Sequence, residues 1–82
     1  MQKIALPGVK NHAIVGHLET TDYLIIAFYS GKLAIVGADL NLVNLKNLGT
    51  TITSINFIKR KQFIAIGLIN GRILTLQTNQ QL

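Results

Sequence analysis

Short apolar runs rich in Ile, Leu and Thr alternate with Gly, Asn and Lys punctuation along the chain. The punctuation recurs about every eight to twelve residues, the spacing of strands separated by tight turns. No long stretch keeps a helical period behind a capping residue. The pattern predicts strands at 3–6, 12–18, 23–29, 32–37, 42–46, 52–58, 63–69 and 72–77. Two hairpins stand out, Tyr29-Ser30-Gly31-Lys32 and Ile69-Asn70-Gly71-Arg72. Asn70-Gly71 is the pair favoured by a type I′ turn, where both central residues need positive φ, and Ser30-Gly31 sits in the same frame.

The flanks of these hairpins repeat. Residues 22–36 run without a gap against residues 62–76, an offset of 40, with Ile26/Ile66 and Gly31/Gly71 identical. Most other columns keep chemical class: Tyr23 with Phe63, Ala27 with Gly67, Ser30 with Asn70, Lys32 with Arg72. At the same offset Ala13–Leu18 falls on Thr53–Ile58, and a weaker echo places Met1–Gly8 on Leu42–Gly49. A period near 40 residues that holds about four strands is the signature of a β-propeller blade.

The second copy carries an apolar-small-apolar-x-Phe strand, Thr53-Ser54-Ile55-Asn56-Phe57. A strand ending in the small residue Gly67 follows, and then the Asn70-Gly71-Arg72-Ile73 turn. In these features the chain resembles a WD-repeat-like β-propeller. It departs from that family in lacking the Gly-His and Trp-Asp dipeptides; Leu76-Gln77 stands where Trp-Asp would be. The resemblance implies an all-β single unit over residues 1–82, with one blade at 12–46 and an incomplete blade at 52–77. Residues 1–8 would then supply an outer strand, Lys3-Ile4-Ala5-Leu6, that closes a neighbouring blade. Two blades do not close a ring that needs about four to eight. The implied partners are therefore other copies of the chain, about three or four in a ring, or a larger propeller or complex subunit. The alternative fold is a small Sm-like or OB-like barrel.

Composition sharpens this picture. The chain has 82 residues, 49% of them hydrophobic and 13% charged, which fits a single folded domain and excludes a disordered tail. Its mean hydropathy is +0.40, yet the longest apolar stretch, Tyr23–Val36, is broken by Ser30-Gly31-Lys32 and is too short for a spanning helix. With no cysteine and no signal-peptide core, an intracellular location and no membrane span are expected. A domain this small buries only about 60% of its unfolded surface, so further burial against another chain, or in a tightly twisted barrel, is expected as well. The net charge of +5 lies wholly in residues 40–82, on Lys46, Lys59, Arg60, Lys61 and Arg72. These five residues are the candidate contacts for nucleic acid or an acidic protein or lipid surface.

Catalytic equipment is sparse. His12 and His17 are five apart, so on one strand they point to opposite faces, with Glu19 on the side of His17. That arrangement predicts no metal, and no cofactor motif is present. Tyr23 and Phe63, at matching repeat positions, read as core residues. The two-blade phasing is also similar to fucose-binding lectins, a small lectin-like propeller, but those stack sugars on tryptophan and this chain has none. The expected role is a non-enzymatic scaffold for protein–protein contacts. Binding of nucleic acid or an acidic surface through the basic half is the alternative.

Overall fold

The computed structural model describes residues 8–9, 12–20 and 22–77. The expected closing strand Lys3-Ile4-Ala5-Leu6 lies outside the described residues. Within them the protein is all-β, with strands β1 (Ile14–Glu19), β2 (Tyr23–Phe28), β3 (Lys32–Gly37), β4 (Leu42–Asn47), β5 (Ile52–Ile58), β6 (Phe63–Leu68) and β7 (Ile73–Gln77). They form two antiparallel meanders, a four-stranded sheet in the order β1-β2-β3-β4 and a three-stranded sheet in the order β5-β6-β7. The strands thus divide into two sheets, and the single small barrel considered as an alternative is not formed among the described residues. No helix among them is long and apolar enough to cross a membrane.

Residue pattern explains the layering. β2 and β3 read as nearly continuous apolar runs, as strands do when both of their faces are covered. Ile25, Ala27, Leu33 and Ile35 on one face of the first sheet join Ile52, Ile64 and Ile66 of the second in one core, and all are fully buried. Ile26, Phe28, Ala34 and Val36 on the opposite face are buried with Val9, flanked by Leu24, Leu42 and Leu45. The seam between the sheets is tightest where β1 and β2 meet β5. A Cβ on Gly16 would sit 3.1 Å from Ile55 Cγ2, so glycine there permits the close approach.

The connector from β4 to β5 fixes the relative direction of the sheets. Leu48 N donates to Gly31 O at 2.9 Å. Gly31 is buried at φ +96°, and a Cβ on it would strike the Thr50 carbonyl oxygen. The start of β5 is thereby pinned beneath the β2–β3 hairpin, so β5 runs in the direction of β1. The β1–β2, β3–β4 and β5–β6 turns consequently share one end, here the upper end, and the β2–β3 and β6–β7 turns share the lower end.

Three sequence expectations change in detail. First, the glycine hairpins are not type I′. Gly31 N and Gly71 N each bond back to the carbonyl three residues earlier, Phe28 O and Leu68 O, at 3.0 Å. Gly31 and Gly71 have positive φ but Ser30 and Asn70 do not. The turn centres are therefore Tyr29-Ser30 and Ile69-Asn70, and each glycine is the left-handed residue that follows, the arrangement of a three-residue loop. Second, β1 starts at Ile14, so His12 precedes the strand and does not share it with His17. Third, the repeat is not gapless. Gly16 pairs with Ala27, while Ser54 pairs with the repeat-equivalent Gly67. β5 therefore corresponds to β1 at an offset of 38, whereas β6 and β7 keep 40. The β5–β6 turn, residues 59–62, is two residues longer than the β1–β2 turn, where Thr20 N bonds Tyr23 O at 2.8 Å. Because the slip is even, it preserves which face each residue occupies.

Two outcomes check this packing. Ile66→Ala should lower unfolding stability by about 2–5 kcal/mol and Thr75→Ala, on an exposed position, by no more than about 0.5 kcal/mol; urea titration measures both, and equal effects would contradict the seam. Gly31→Ala should destabilise more than Gly71→Ala. Both alanines meet the left-handed penalty of about 1–2 kcal/mol, but only Gly31 faces backbone, since nothing lies within 4 Å of a Cβ at Gly71.

Candidate functional site

Charge is sorted by sheet at the upper end. The chain has three acids: Glu19 ends β1, Asp22 lies in the β1–β2 turn and Asp39 in the β3–β4 turn, all at the upper end of the first sheet. Thr20 ties its turn closed, its Oγ1 accepting from Tyr23 N at 3.1 Å. Asp39 accepts from Asn41 N at 3.2 Å and from Asn41 Nδ2 at 3.0 Å, and Gly37 N bonds Asn41 O across the same turn. Between the two turns lies a cleft of about 310 Å³, lined by Glu19, Thr20, Asp22, Tyr23 and Leu24 on one side and by Gly37, Ala38 and Leu40 on the other. Its chemistry is that of carboxylates beside a phenol and aliphatic carbon, suited to meet a cationic surface. No group of three or more His, Asp or Glu that could hold a metal ion occurs among the described residues.

The basic residues are divided. Lys59, Arg60 and Lys61 are exposed together in the β5–β6 turn at the upper end. Gln62, at φ +56°, closes that turn, with its Nε2 donating to Lys59 O at 3.0 Å. Arg72 lies in the β6–β7 turn at the lower end, and half-buried Lys46 on β4 pairs across from Leu33. The five candidate cations therefore do not form one surface. The triplet stays together; Lys46 and Arg72 are parted from it. The triplet also occupies the longer turn that distinguishes the second sheet from the first.

The histidines separate as well. His12 Nδ1 is 2.9 Å from Ser30 Oγ, and its ring stands edge-on to Phe28 with centroids 6.3 Å apart. This contact helps fasten the lower hairpin to the segment before β1. His17 is exposed on the outer face beside Glu19. Of the paired aromatics, Tyr23 packs on the inter-sheet core. Phe63 lies on the outer face of the second sheet, opposite Ile58 and Gln77.

That outer face was not singled out by sequence. It carries Ile58, Phe63, Ala65, Gly67 and Ile73 among Ser54, Asn56, Thr75 and Gln77. Ile73 is 71% exposed, and Ile14, on the outer face of the first sheet, is 61% exposed. The counterpart of Ile73, Leu33, is found at the offset of 40, whereas that of Ile14, Ile52, is found only once β1 and β5 are aligned two residues out of step with the rest.

Hydrogen bonding from Asn41, by its side chain first and its backbone second, holds the Asp39 carboxyl below the ordinary aspartate pKa. A depressed folded-state pKa adds stability that is complete above the unfolded value and disappears as pH falls through the folded one. The β3–β4 turn should therefore loosen only on acidification. NMR titration of the Asp39 carboxyl should give a midpoint below that of aspartate in an unfolded peptide, and Asn41→Ala should move it up. A midpoint insensitive to Asn41→Ala would contradict this assignment.

No family model, curated protein or solved structure matches the chain.

Proposed function

We propose that the protein is a non-enzymatic interaction module, a pair of β-propeller-type blades that assembles with further blades into a ring serving as a binding platform. One observation carries the reading. The two meanders stack in the same orientation, each using a different face, so the second sheet ends in a face equivalent to the one the first sheet has just buried. An operation of that kind continues until it closes, and four-stranded meanders stacked this way are propeller blades. β7 has β6 as its one strand partner among the described residues. It offers an edge for a fourth strand, the role proposed for Lys3-Ile4-Ala5-Leu6 of a neighbouring copy.

The parting of Lys46 and Arg72 from Lys59, Arg60 and Lys61 favours protein contacts over an extended nucleic-acid track, which needs cations spread along one surface. Light scattering across a concentration series tests the proposal. A discrete assembly of several copies, or a defined complex with a larger chain, is expected. A strictly monomeric, cooperatively folded species of 9.0 kDa would end the ring-completing reading.

A further inference from the structure

We infer that two copies of the chain meet at their upper ends in a two-fold pair, each inserting its Lys59-Arg60-Lys61 turn into the other's cleft between the β1–β2 and β3–β4 turns. The contact is made by turns and leaves the sheet faces out, so it goes beyond the ring reading and does not depend on it.

The inference starts from two complementary shapes at one end of the molecule. The β5–β6 turn is two residues longer than the equivalent β1–β2 turn, so it reaches further beyond its strands. Lys61 N donates to Ile58 O at 3.3 Å, which puts Lys59 and Arg60 at the centre of a tight turn and makes them its tip. All three basic side chains are exposed. Next to this projection, on the first sheet, is a recess, the cleft of about 310 Å³. Both of its walls are tied turns: Thr20 N bonds Tyr23 O on one side, and Gly37 N bonds Asn41 O on the other.

Chemistry follows shape. The cleft sets Glu19 and Asp22 beside Tyr23 and the aliphatic side chains of Leu24 and Leu40. A long basic side chain is recognised by those parts, with negative charge at its head and carbon or an aromatic ring along its stem. Arg60 suits the cleft best, because a guanidinium both stacks on rings and bonds carboxylates in pairs.

These charges are not used within the chain. Among the described residues the side chains of Glu19, Asp22, Lys59, Arg60 and Lys61 have no hydrogen-bond or ion-pair partner, whereas Asp39 is taken up by Asn41. The reason is topological. β1 and β5 run in the same direction, so the basic turn lies alongside the cleft and not over it. A second copy removes that obstacle. A half-turn about an axis lying in the seam and crossing the upper end exchanges the two layers, and each basic turn then faces an acidic cleft. Opposite signs side by side on one end are what an isologous contact requires, since such a patch has to complement itself. A foreign acidic partner would satisfy only the turn and a foreign basic one only the cleft. A second copy satisfies both at once, and the pair closes at two.

Charge exchange tests the contact. Arg60→Glu and Asp22→Lys, both at exposed positions, are prepared separately, checked for an unchanged β-sheet circular dichroism spectrum, and followed by sedimentation velocity alone and mixed. The wild type should dimerise. Each variant alone sets like charges together at both contacts and should associate about tenfold more weakly or worse. In the one-to-one mixture one contact joins the two introduced charges and the other keeps Arg60 with Asp22, so dimer should return. Arg72→Glu makes the same change in net charge at the lower end and should leave dimerisation unaltered. A mixture no more associated than its components overturns the proposal, and so does an Arg72→Glu effect as large as that of Arg60→Glu. Assembly that both upper-end variants retain in full overturns it while leaving the ring reading in place. A wild type still monomeric at about 1 mM overturns both.

Discussion

The fold depends on the seam between its two sheets. Three strands with an apolar face are the least from which a sheet draws stability of its own. Here the inner face of β5–β7, with Ile64 and Ile66 at its centre, is buried only because Ile25, Ala27, Leu33 and Ile35 lie across from it. Two glycines make the approach possible. Gly16 lets β1 come close to Ile55, and Gly31 lets the connector pass beneath the first hairpin. A side chain at Gly16 would press on Ile55, and one at Gly31 on the Thr50 carbonyl oxygen. Direction, register and burial of the second sheet all follow from those contacts.

Much of this architecture was legible in the sequence. Strand positions came through because apolar runs of five to seven residues broken by Gly and Asn leave few alternatives, and β3 and β5 match their expected bounds to the residue. The pairing of β2–β3 with β6–β7 was legible because Gly31 and Gly71 anchor a gapless match. The offset of β5 was not. Ala13–Leu18 and Thr53–Ile58 are both apolar-alternating, and a slip of two residues keeps that alternation intact, so hydrophobic pattern alone does not distinguish the two alignments. The turn type was missed for a related reason. Asn-Gly is compatible with more than one hairpin loop, and the choice is made by which residue ends each strand, Phe28 and Leu68.

The candidate site was less legible than the fold. The basic half of the chain suggested one surface, but antiparallel hairpins send successive turns to opposite ends. Lys59–Lys61 and Arg72 lie on consecutive turns of one meander, so topology parts them whatever their side chains do. Charge balance along the sequence was informative in another way: all three acids fall in the first sheet and its turns, and four of the five cations of residues 40–82 fall in the second, Lys46 on β4 being the exception. What one-dimensional counting presents as a basic tail becomes, in three dimensions, an upper end with opposite signs on neighbouring layers.

The exposed isoleucines show how repeat equivalence separates a meaningful exposed apolar residue from an ordinary one. Single exposed apolar side chains are common on protein surfaces and carry little information alone. Ile69 is such a case, since its counterpart Tyr29 is exposed too. Ile14 and Ile73 differ because their counterparts define the seam. The same comparison reads the polar positions. On the first sheet's outer face, His17 and Glu19 stand where the second sheet's inner face has Ile55 and Phe57. The equivalent strand turns polar where none of the described strands lies against it, while the centre of that outer face is closed by Val9 over Ile26, Phe28, Ala34 and Val36. One repeat pattern thus supports two surroundings, a sheet-on-sheet seam inside the chain and a face covered by the segment that precedes β1.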